Sequence, residues 1–364
     1  MRESTHQDHR ERNMNMKKTL SLLLAAAMTL SLLAGCGSKT NDSSSQPVDN
    51  TSASASQSQQ PVDKTDVNFM ALSGPTGVGA AYLMKYYSAE TSPADCPVAL
   101  NSTVVADNKE VTDALVNGTA DIAAVATNVA ANLAAKTDGG IQVLAVNTLG
   151  VLYILEKGDS VQSMTDLAGK TVYATGQGAN PEYVLNYLLT QNGVDPSQVD
   201  IQWMTAQEVT AQMASSDSAI CMLPVPAATA LMMKDQGVRQ ALSLSDEWDK
   251  LGQGSLAMGC VVGRTQFIEE HPETVDAFLD LYGDSITFMS DEHGVAGAAA
   301  LVGELGITAN EQIAQKAIPQ CNLTFLTGAD MKATLEEYYQ VLFQADPASI
   351  GGSMPYDAFY YGAE

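Results

Sequence analysis

Basic side chains are scarce in this sequence, and their scarcity excludes several classes of partner. The chain has 18 lysines and arginines against 42 aspartates and glutamates, which gives a formal net charge of −24. Beyond residue 35 the only arginines are Arg239 and Arg264. Nucleic acids and anionic lipid surfaces require a basic footprint on the protein that binds them. We therefore expect no nucleic-acid partner and no membrane contact through the folded surface.

Histidine is equally rare, and this limits the chemistry available to the chain. Beyond residue 35 the sequence has only His271 and His293. Two histidines cannot build a histidine zinc cluster. No Ser–His–Asp or Cys–His set for nucleophilic catalysis is visible either. We therefore expect no metal, no cofactor and no enzymatic activity.

Paired-cysteine motifs are absent as well. The sequence contains no Cys-x-x-Cys pair and no spacing typical of metal ligands. In an exported protein, the four cysteines beyond the N-terminal segment could form disulfides in three alternative pairings. Buried free thiols are an equal alternative, because two of the four lie inside apolar, strand-like runs. These cysteines are Cys96, Cys221, Cys260 and Cys321.

Residues 1–35 are typical of an export signal. Two consecutive lysines precede a Leu/Ala-rich stretch at residues 20–33, and small residues precede Cys36. A cysteine directly after Ala–Gly resembles a bacterial lipobox, so we predict that Cys36 is lipidated, with palmitate among its acyl chains, and becomes the first mature residue. The anchor would hold the protein on the extracytoplasmic face of the cell membrane. Residues 1–13 are polar and include three acidic residues, which do not fit an export signal, and we interpret them as an over-extended start.

The rest of the chain divides into a tether and a globular part. Residues 36–65 are rich in Ser, Gln, Asn, Asp and Thr, and cannot bury enough apolar surface to fold, so we predict a disordered tether. Beyond them, strand and helix patterns alternate over a length that suits two lobes. We therefore predict an α/β fold with a mainly parallel sheet in each lobe. Lobe one would comprise residues 66–150 plus 255–364, and lobe two residues 151–254.

Candidate ligand-binding residues lie mainly in four loops that each follow a strand and precede a helix. Ligands of open α/β sheets bind beyond the carboxyl ends of the strands, so loops from two facing lobes would line one cleft. Each candidate also has a purely structural alternative, such as a tight turn, a helix cap or a plain helix start. The candidates are Ser73, Gly74, Thr76, Gly77, Thr127, Asn128, Thr148, Gln177, Gly178, Asn180, Pro224 and Pro226.

The same loops predict the charge of the ligand. They contain no Arg, Lys or His, so we expect a small solute that is neutral, zwitterionic or cationic. Any carboxylate would have to be held by backbone N–H groups and hydroxyls at Ser73, Thr76 and Gly77. The lobes are expected to close on the solute around crossing segments near Gly150 and Gly254.

Several short motifs resemble one group of transport proteins. They are Asn147–Gly150, Asp166–Val172, Pro181–Tyr183 and Gly118–Ile122. These stretches look like the substrate-binding proteins of ABC transporters in the nitrate, sulfonate, taurine and thiamine-precursor group. The resemblance implies a periplasmic-binding-protein fold of the second type, which closes over a small organic solute and delivers it to permease and ATPase subunits. We expect the protein to act as a monomer.

Two other functions are compatible with this fold. The first is an enzyme similar to chorismate dehydratase, but such enzymes are cytosolic, and the lipobox disfavours that location. The second is a membrane-tethered sensor that passes occupancy to a membrane partner without delivering the solute.

Overall fold

The computed structural model describes residues 63–363. The predicted signal, Cys36 and nearly all of the tether lie outside the described residues. Within them, eleven strands are present: β1 (Thr65–Leu72), β2 (Val98–Val105), β3 (Ile122–Ala126), β4 (Ile141–Thr148), β5 (Leu152–Lys157), β6 (Thr171–Ala174), β7 (Asp200–Trp203), β8 (Ala219–Pro224), β9 (Val238–Ser243), β10 (Gly259–Arg264) and β11 (Leu323–Leu326).

Thirteen α-helices accompany these strands in the described part of the chain. They are α1 (Pro75–Val78), α2 (Ala81–Tyr86), α3 (Asn108–Asn117), α4 (Thr127–Lys136), α5 (Asn180–Gln191), α6 (Ala206–Ser215), α7 (Ala227–Lys234), α8 (Leu244–Asp249), α9 (Thr265–Glu270), α10 (Pro272–Ser290), α11 (Val295–Glu304), α12 (Glu311–Ala317) and α13 (Gly328–Ala345). None of these helices combines the length and the apolar character that crossing a membrane requires.

The strands form two sheets, and each sheet is the centre of one lobe. The strand order is β11-β4-β10-β3-β1-β2 in the first sheet and β7-β6-β8-β5-β9 in the second. The chain leaves the first sheet after β4 and returns to it at β10, so residues 149–151 and 244–258 cross between the lobes. The predicted α/β fold with two lobes is confirmed.

The prediction of mainly parallel sheets needs correction, because both sheets are mixed. In the first sheet β1 pairs in parallel with β2 and β3, whereas β10 is antiparallel to β3 and β4, and β11 is antiparallel to β4. In the second sheet β6 is parallel to β7 and β8, whereas β5 is antiparallel to β8 and β9. The physical reason lies in the crossings. The chain leaves each lobe at the carboxyl ends of its parallel strands and enters the other lobe at the edge where that lobe's parallel strands also end. The entering strands, β5 and β10, therefore run antiparallel to their neighbours.

Local sequence signals explain where several helices begin and end. Helix α3 begins after Asp107, whose carboxylate accepts a hydrogen bond from the backbone N–H of Lys109 at 2.8 Å, and it ends at Gly118 in the left-handed conformation. Helix α6 begins with a capping box, in which Thr205 and Glu208 satisfy each other's backbone N–H groups. These ends fix the strand-to-helix loops that follow β2 and β7.

The four cysteines of the described chain are free and buried, so they are buried thiols and not disulfides. They are Cys96, Cys221, Cys260 and Cys321. Burial raises the pKa of Cys221 and Cys321 to about 12 and raises that of Cys260 as well. These thiols act as small apolar side chains within the two sheets and beside them.

Candidate functional site

A cleft lies between the lobes at the carboxyl ends of β1, β4, β6 and β8. Its inner cavity has a volume of about 220 Å³, and residues from both lobes and both crossing segments line it. Larger cavities of about 470, 720 and 780 Å³ occur elsewhere, but none has strand ends from both sheets in its wall. The inner cavity is lined by Leu72, Ser73, Pro75, Thr76, Ala106, Asn108, Ala126, Thr148, Val151, Leu152, Thr175, Gly176, Ala179, Asn180, Pro181, Pro224 and Met258.

An outer cavity of about 500 Å³ continues from the inner one. The two share part of their walls, including Ser73, Pro75, Thr175 and Pro224. The outer wall is mostly apolar and is completed by Gly74, Met204, Thr205, Ala206, Val225, Pro226, Ala227, Ala230, Ile307, Thr308, Ala309 and Ile313. Inner and outer cavities together are called the cleft below.

The structure brings seven of the twelve sequence-predicted residues to the wall of the cleft: Ser73, Gly74, Thr76, Thr148, Asn180, Pro224 and Pro226. It also adds residues that the sequence reasoning missed. Asn108 follows the carboxyl end of β2, next to a strand-to-helix loop that differs from the four predicted loops. Met258 lies in the returning crossing segment, and Thr175 directly follows β6. The rule that ligands bind beyond strand ends could have found Asn108 and Thr175.

Gly77 is buried in helix α1 and does not line the cleft. A Cβ atom at this position would lie 2.5 Å from the backbone oxygen of Leu72, so the glycine allows α1 to pack against the end of β1. Its N–H donates to Gly74 O at 3.1 Å, and the N–H of Ser73 donates to Val105 O at 2.7 Å. Two of the backbone donors expected to hold a carboxylate are therefore already used within the fold.

Gln177 and Gly178 are exposed and lie outside the wall of the cleft. The N–H of Gly178 donates to the Glu182 carboxylate at 2.6 Å, and its carbonyl accepts a long hydrogen bond from Asn128 at 3.4 Å. The middle of this loop therefore turns outward toward the surface, whereas Gly176 before it and Ala179 after it reach the cleft.

Asn180 connects the two lobes. Its residue type is typical of a helix cap, but the cap of α5 is Ala179 and Asn180 is the first helical residue. Its side-chain amide is fully buried and donates to Thr127 Oγ1 at 2.8 Å and to Met258 O at 2.7 Å. Its Oδ1 accepts a hydrogen bond from the Tyr338 hydroxyl at 2.9 Å. One lobe-two side chain thereby joins lobe one, a crossing segment and helix α13.

Thr127 and Asn128 lie behind this contact and do not line the cleft. Thr127 Oγ1 donates to Ala257 O at 2.7 Å, and its backbone carbonyl accepts from the Tyr339 hydroxyl at 2.8 Å. The Asn128 amide donates to Ser349 O at 3.2 Å. Both side chains therefore hold α4 against the crossing segment and the C-terminal part of the chain.

Two polar groups at the inner cavity lack an internal partner. Thr148 Oγ1 and Asn108 Oδ1 are buried atoms that form no hydrogen bond within the described chain. Thr148 is 1 % exposed, and both residues line the inner cavity. A buried polar atom without a partner costs about 1–3 kcal/mol. Other buried atoms without a partner, such as Thr229 Oγ1, lie away from the cleft, so it is the position of these two in the cavity wall that makes them candidates for contact with a bound molecule.

Charged side chains are missing from the wall of the cleft. Among the residues that the structure describes, neither cavity is lined by Asp, Glu, Lys, Arg or His. Both arginines serve the fold instead: Arg239 pairs with Glu156 at 2.5 Å in lobe two, and Arg264 pairs with Asp121 at 2.6 Å in lobe one. Each pair lies at the end of its sheet remote from the cleft.

The environment of Glu156 shows how the lobe-two pair is built. Burial alone would raise the pKa of this carboxyl, but hydrogen bonds from Ser160 and Val161 and the charge of Arg239 lower it below its ordinary value. The carboxylate accepts from Ser160 Oγ at 2.7 Å and from Val161 N at 3.1 Å. Glu156 is therefore a structural anion and not a candidate proton donor.

Comparisons with known proteins agree with this architecture. An ABC transporter protein from Parabacteroides distasonis is 22 % identical, with a TM-score of 0.66 over 83 % of this chain and 99 % of that one. The periplasmic aliphatic sulphonate-binding protein of Escherichia coli is 14 % identical, with a TM-score of 0.62 over 78 % and 93 %. A zinc-bound ligand-binding component of an ABC-type import system from Staphylococcus aureus is 14 % identical, with a TM-score of 0.63 over 82 % and 96 %. These likenesses show the shared periplasmic-binding-protein fold.

The family is defined by sequence. A family model described as NMT1/THI5 like matches residues 98–293, more than half of the chain, so the chain belongs to the NMT1/THI5-like family. A search of curated proteins finds no match. The short motifs predicted a resemblance to ABC-transporter substrate-binding proteins, and this resemblance is confirmed. The described residues contain no cluster of three or more His, Cys, Asp or Glu side chains that could hold a metal ion.

Proposed function

We propose that the protein is the extracytoplasmic solute-binding receptor of an ABC importer. It closes its two lobes over a small organic solute and delivers the solute to permease and ATPase subunits. The family and the shared fold support a solute-binding role. The observation that carries the proposal is the inner cavity, because residues of both lobes and both crossing segments line it and two unpartnered polar groups belong to its wall.

The residues proposed to contact the solute are those that reach the cleft. Ser73 and Thr76 contribute polar groups, whereas the Asn180 side chain in the wall is already hydrogen-bonded within the fold. Pro224 and Pro226 form a stiff rim, because the proline ring fixes the backbone. Gly74 has a φ of 104° and no atom within 4 Å of a Cβ built there, so its backbone conformation, not crowding, favours glycine. Thr148, Asn108 and Thr175 complete the polar part of the wall.

Binding without chemistry fits this cleft better than catalysis. General acid–base catalysis requires a titratable side chain within hydrogen-bond reach of the reacting group. The described wall has no carboxylate, imidazole, amine or thiol. This favours a receptor over a dehydratase-like enzyme on the same fold.

The proposal is tested by a thermal-shift screen of the purified protein against a library of small solutes. A solute at a hundredfold excess over its dissociation constant stabilises the folded state by about 2.7 kcal/mol. A receptor returns the solute unchanged when the complex is denatured, whereas an enzyme returns a product. Uptake of a confirmed solute by cells should be lost when the gene is deleted. Unchanged uptake would favour the sensor.

The proposed location rests on the lipobox. We expect Cys36→Ser to release the protein from the membrane fraction or to leave the signal uncut. Membrane retention of the variant with a normal mature mass would contradict the lipid anchor.

A further inference from the structure

We propose that the solute is an uncharged molecule with a hydrogen-bonding head, held between Thr148 and Asn108 in the inner cavity, and an apolar body that extends into the outer cavity. This inference rests on the proposed receptor function and narrows the class of solute that the receptor takes. It excludes carboxylates, sulfonates, inorganic anions, ammonium compounds and zwitterions as the tightest ligands.

The absence of charge from the wall is the first argument. Desolvating an ion is costly unless a paired charge or several hydrogen bonds replace its water. The chain carries 60 charged side chains of Lys, Arg, Asp and Glu, yet none of those in the described residues lines either cavity. The two arginines of the described chain are committed to Glu156 and Asp121. Closure over an ion would therefore leave its charge without an opposite partner.

Several hydrogen-bond donors near the cleft are already used within the fold. At the loop after β1, the N–H groups of Ser73 and Gly77 already donate to Val105 and Gly74. At the start of α5, the Asn180 side chain is occupied by Thr127, Met258 and Tyr338, and Pro181 has no N–H. These particular donors are therefore unavailable to an anion.

The inner cavity offers hydrogen bonds to a neutral group. The Thr148 hydroxyl can donate and accept, and the Asn108 amide has both functions as well. Both have buried oxygens that lack an internal partner. A neutral group such as an amide, hydroxyl or ring nitrogen would satisfy them without bringing a charge into the closed cleft.

The outer cavity accounts for the apolar body. Its additional wall includes Met204, Val225, Pro226, Ile307 and Ile313. Burying apolar ligand surface there is favourable by about 25 cal/mol for each Å² removed from water. A wholly polar solute would leave this part of the cleft unused.

The experiment measures the melting temperature of the whole protein with fractionated small molecules. A deproteinised extract of the organism that makes the protein is separated by ion exchange at pH 7 into anionic, cationic and unretained fractions. Zwitterions are then removed from the unretained fraction on a cation exchanger at pH 2. We expect the uncharged fraction to raise the melting temperature at the highest dilution.

The other outcomes are distinguishable. If an anionic, cationic or zwitterionic fraction raises the melting temperature at a higher dilution than the uncharged fraction does, the proposed class of solute is wrong, whereas the receptor function stands. If no fraction raises the melting temperature, the receptor function fails and this inference fails with it.

Two threonine variants test the position of the head. Thr148→Val removes one hydroxyl at nearly constant volume. We expect this variant to need an at least tenfold higher concentration of the active fraction than the wild type for the same rise in melting temperature. Thr229→Val is the matched control, because Thr229 Oγ1 is also buried without a partner in the described chain but lines neither cavity. Both variants should melt no lower than the wild type without solute, since each hydroxyl is unpaired. Equal affinity of Thr148→Val and Thr229→Val would overturn the assignment of the head.

A charge introduced into the cleft tests neutrality independently. Asn108→Asp places a carboxylate in the wall at nearly constant size. For an uncharged solute, we expect it to weaken binding at least tenfold, because the carboxylate must lose water when the lobes close. Tighter binding of the active fraction by Asn108→Asp would show that the solute is a cation.

Discussion

Asn180 is the side chain whose removal should most weaken the connection between the lobes. Asn180→Ala deletes hydrogen bonds to Thr127 Oγ1, Met258 O and the Tyr338 hydroxyl, all in a fully buried position. Thr127 keeps its bond to Ala257 O, and the Met258 carbonyl still accepts a hydrogen bond from the backbone N–H of Thr127 at 3.2 Å, so only the Tyr338 hydroxyl is left without a partner. At about 1–3 kcal/mol for a buried group left unsatisfied, we expect a loss of roughly 1–3 kcal/mol in the free energy of unfolding.

The assay is urea unfolding at 25 °C, with the free energy taken from the midpoint and the slope. Asn186→Ala is the matched control, because Asn186 is on the same helix and its side chain makes no hydrogen bond within the described chain. Tyr338→Phe removes one of the three bonds and should cost about 1–2 kcal/mol. In the Asn180→Ala background the same change should cost almost nothing, because its partner is already gone.

Two results would refute this reasoning. One is an Asn180→Ala protein whose free energy of unfolding lies within about 0.5 kcal/mol of the wild type, the range expected for surface changes. The other is a full cost of Tyr338→Phe in the Asn180→Ala background, which would mean that the two groups do not interact.

Further predictions concern the ion pair, closure and the buried thiols. Glu156→Gln should lower the free energy of unfolding at pH 7 by about 2–3 kcal/mol, between the values for buried and exposed pairs; Asp113→Asn, at an exposed pair, should have no measurable effect. Folding lowers the pKa of Glu156. The stability that the Glu156 carboxylate contributes is therefore complete above the ordinary glutamate pKa of about 4.3 and is lost as the pH falls through the lower pKa of the folded state. The difference in the free energy of unfolding between wild type and Glu156→Gln should shrink below about pH 4. Small-angle scattering should show a smaller radius of gyration in the presence of the fraction that raises the melting temperature, and an identical profile would contradict closure. Cys221, Cys260 and Cys321 should not react with a thiol reagent at pH 8 until the protein unfolds, because burial raises their pKa values; fast labelling of the native protein would contradict their burial.

Local signals in the sequence suffice to predict the parts of the fold that depend on neighbouring residues. The capping box at Thr205 and the stop at Gly118 need only a few adjacent residues, and both are present. The cleft also lies beyond the carboxyl ends of the strands, where the sequence predicts it. Ser73, Thr148 and Pro224 reach its wall because each lies at a strand end or directly after one.

Tertiary partners decided the rest. Asn180 has the residue type and position of a helix cap, but Tyr338, 158 positions away, and Met258 bind its side chain. Gly77 has the spacing of a ligand-binding glycine, but the approach of α1 to Leu72 O explains it. Tyr338 and Met258 are far from Asn180 in the sequence, and a single chain gives no signal for such contacts. Leu72 is near Gly77 in the sequence, but their close approach depends on how α1 packs back against the end of β1.

The order of the strands along the chain has a consequence for synthesis. All five strands of the second sheet come from one continuous stretch that ends at Ser243, whereas β10, which fills the place between β3 and β4, begins only at Gly259. As the chain emerges from the ribosome or from an export channel, the second sheet can be completed while the first still has a gap at its centre. The lobe that begins first in the sequence is therefore the last to be finished.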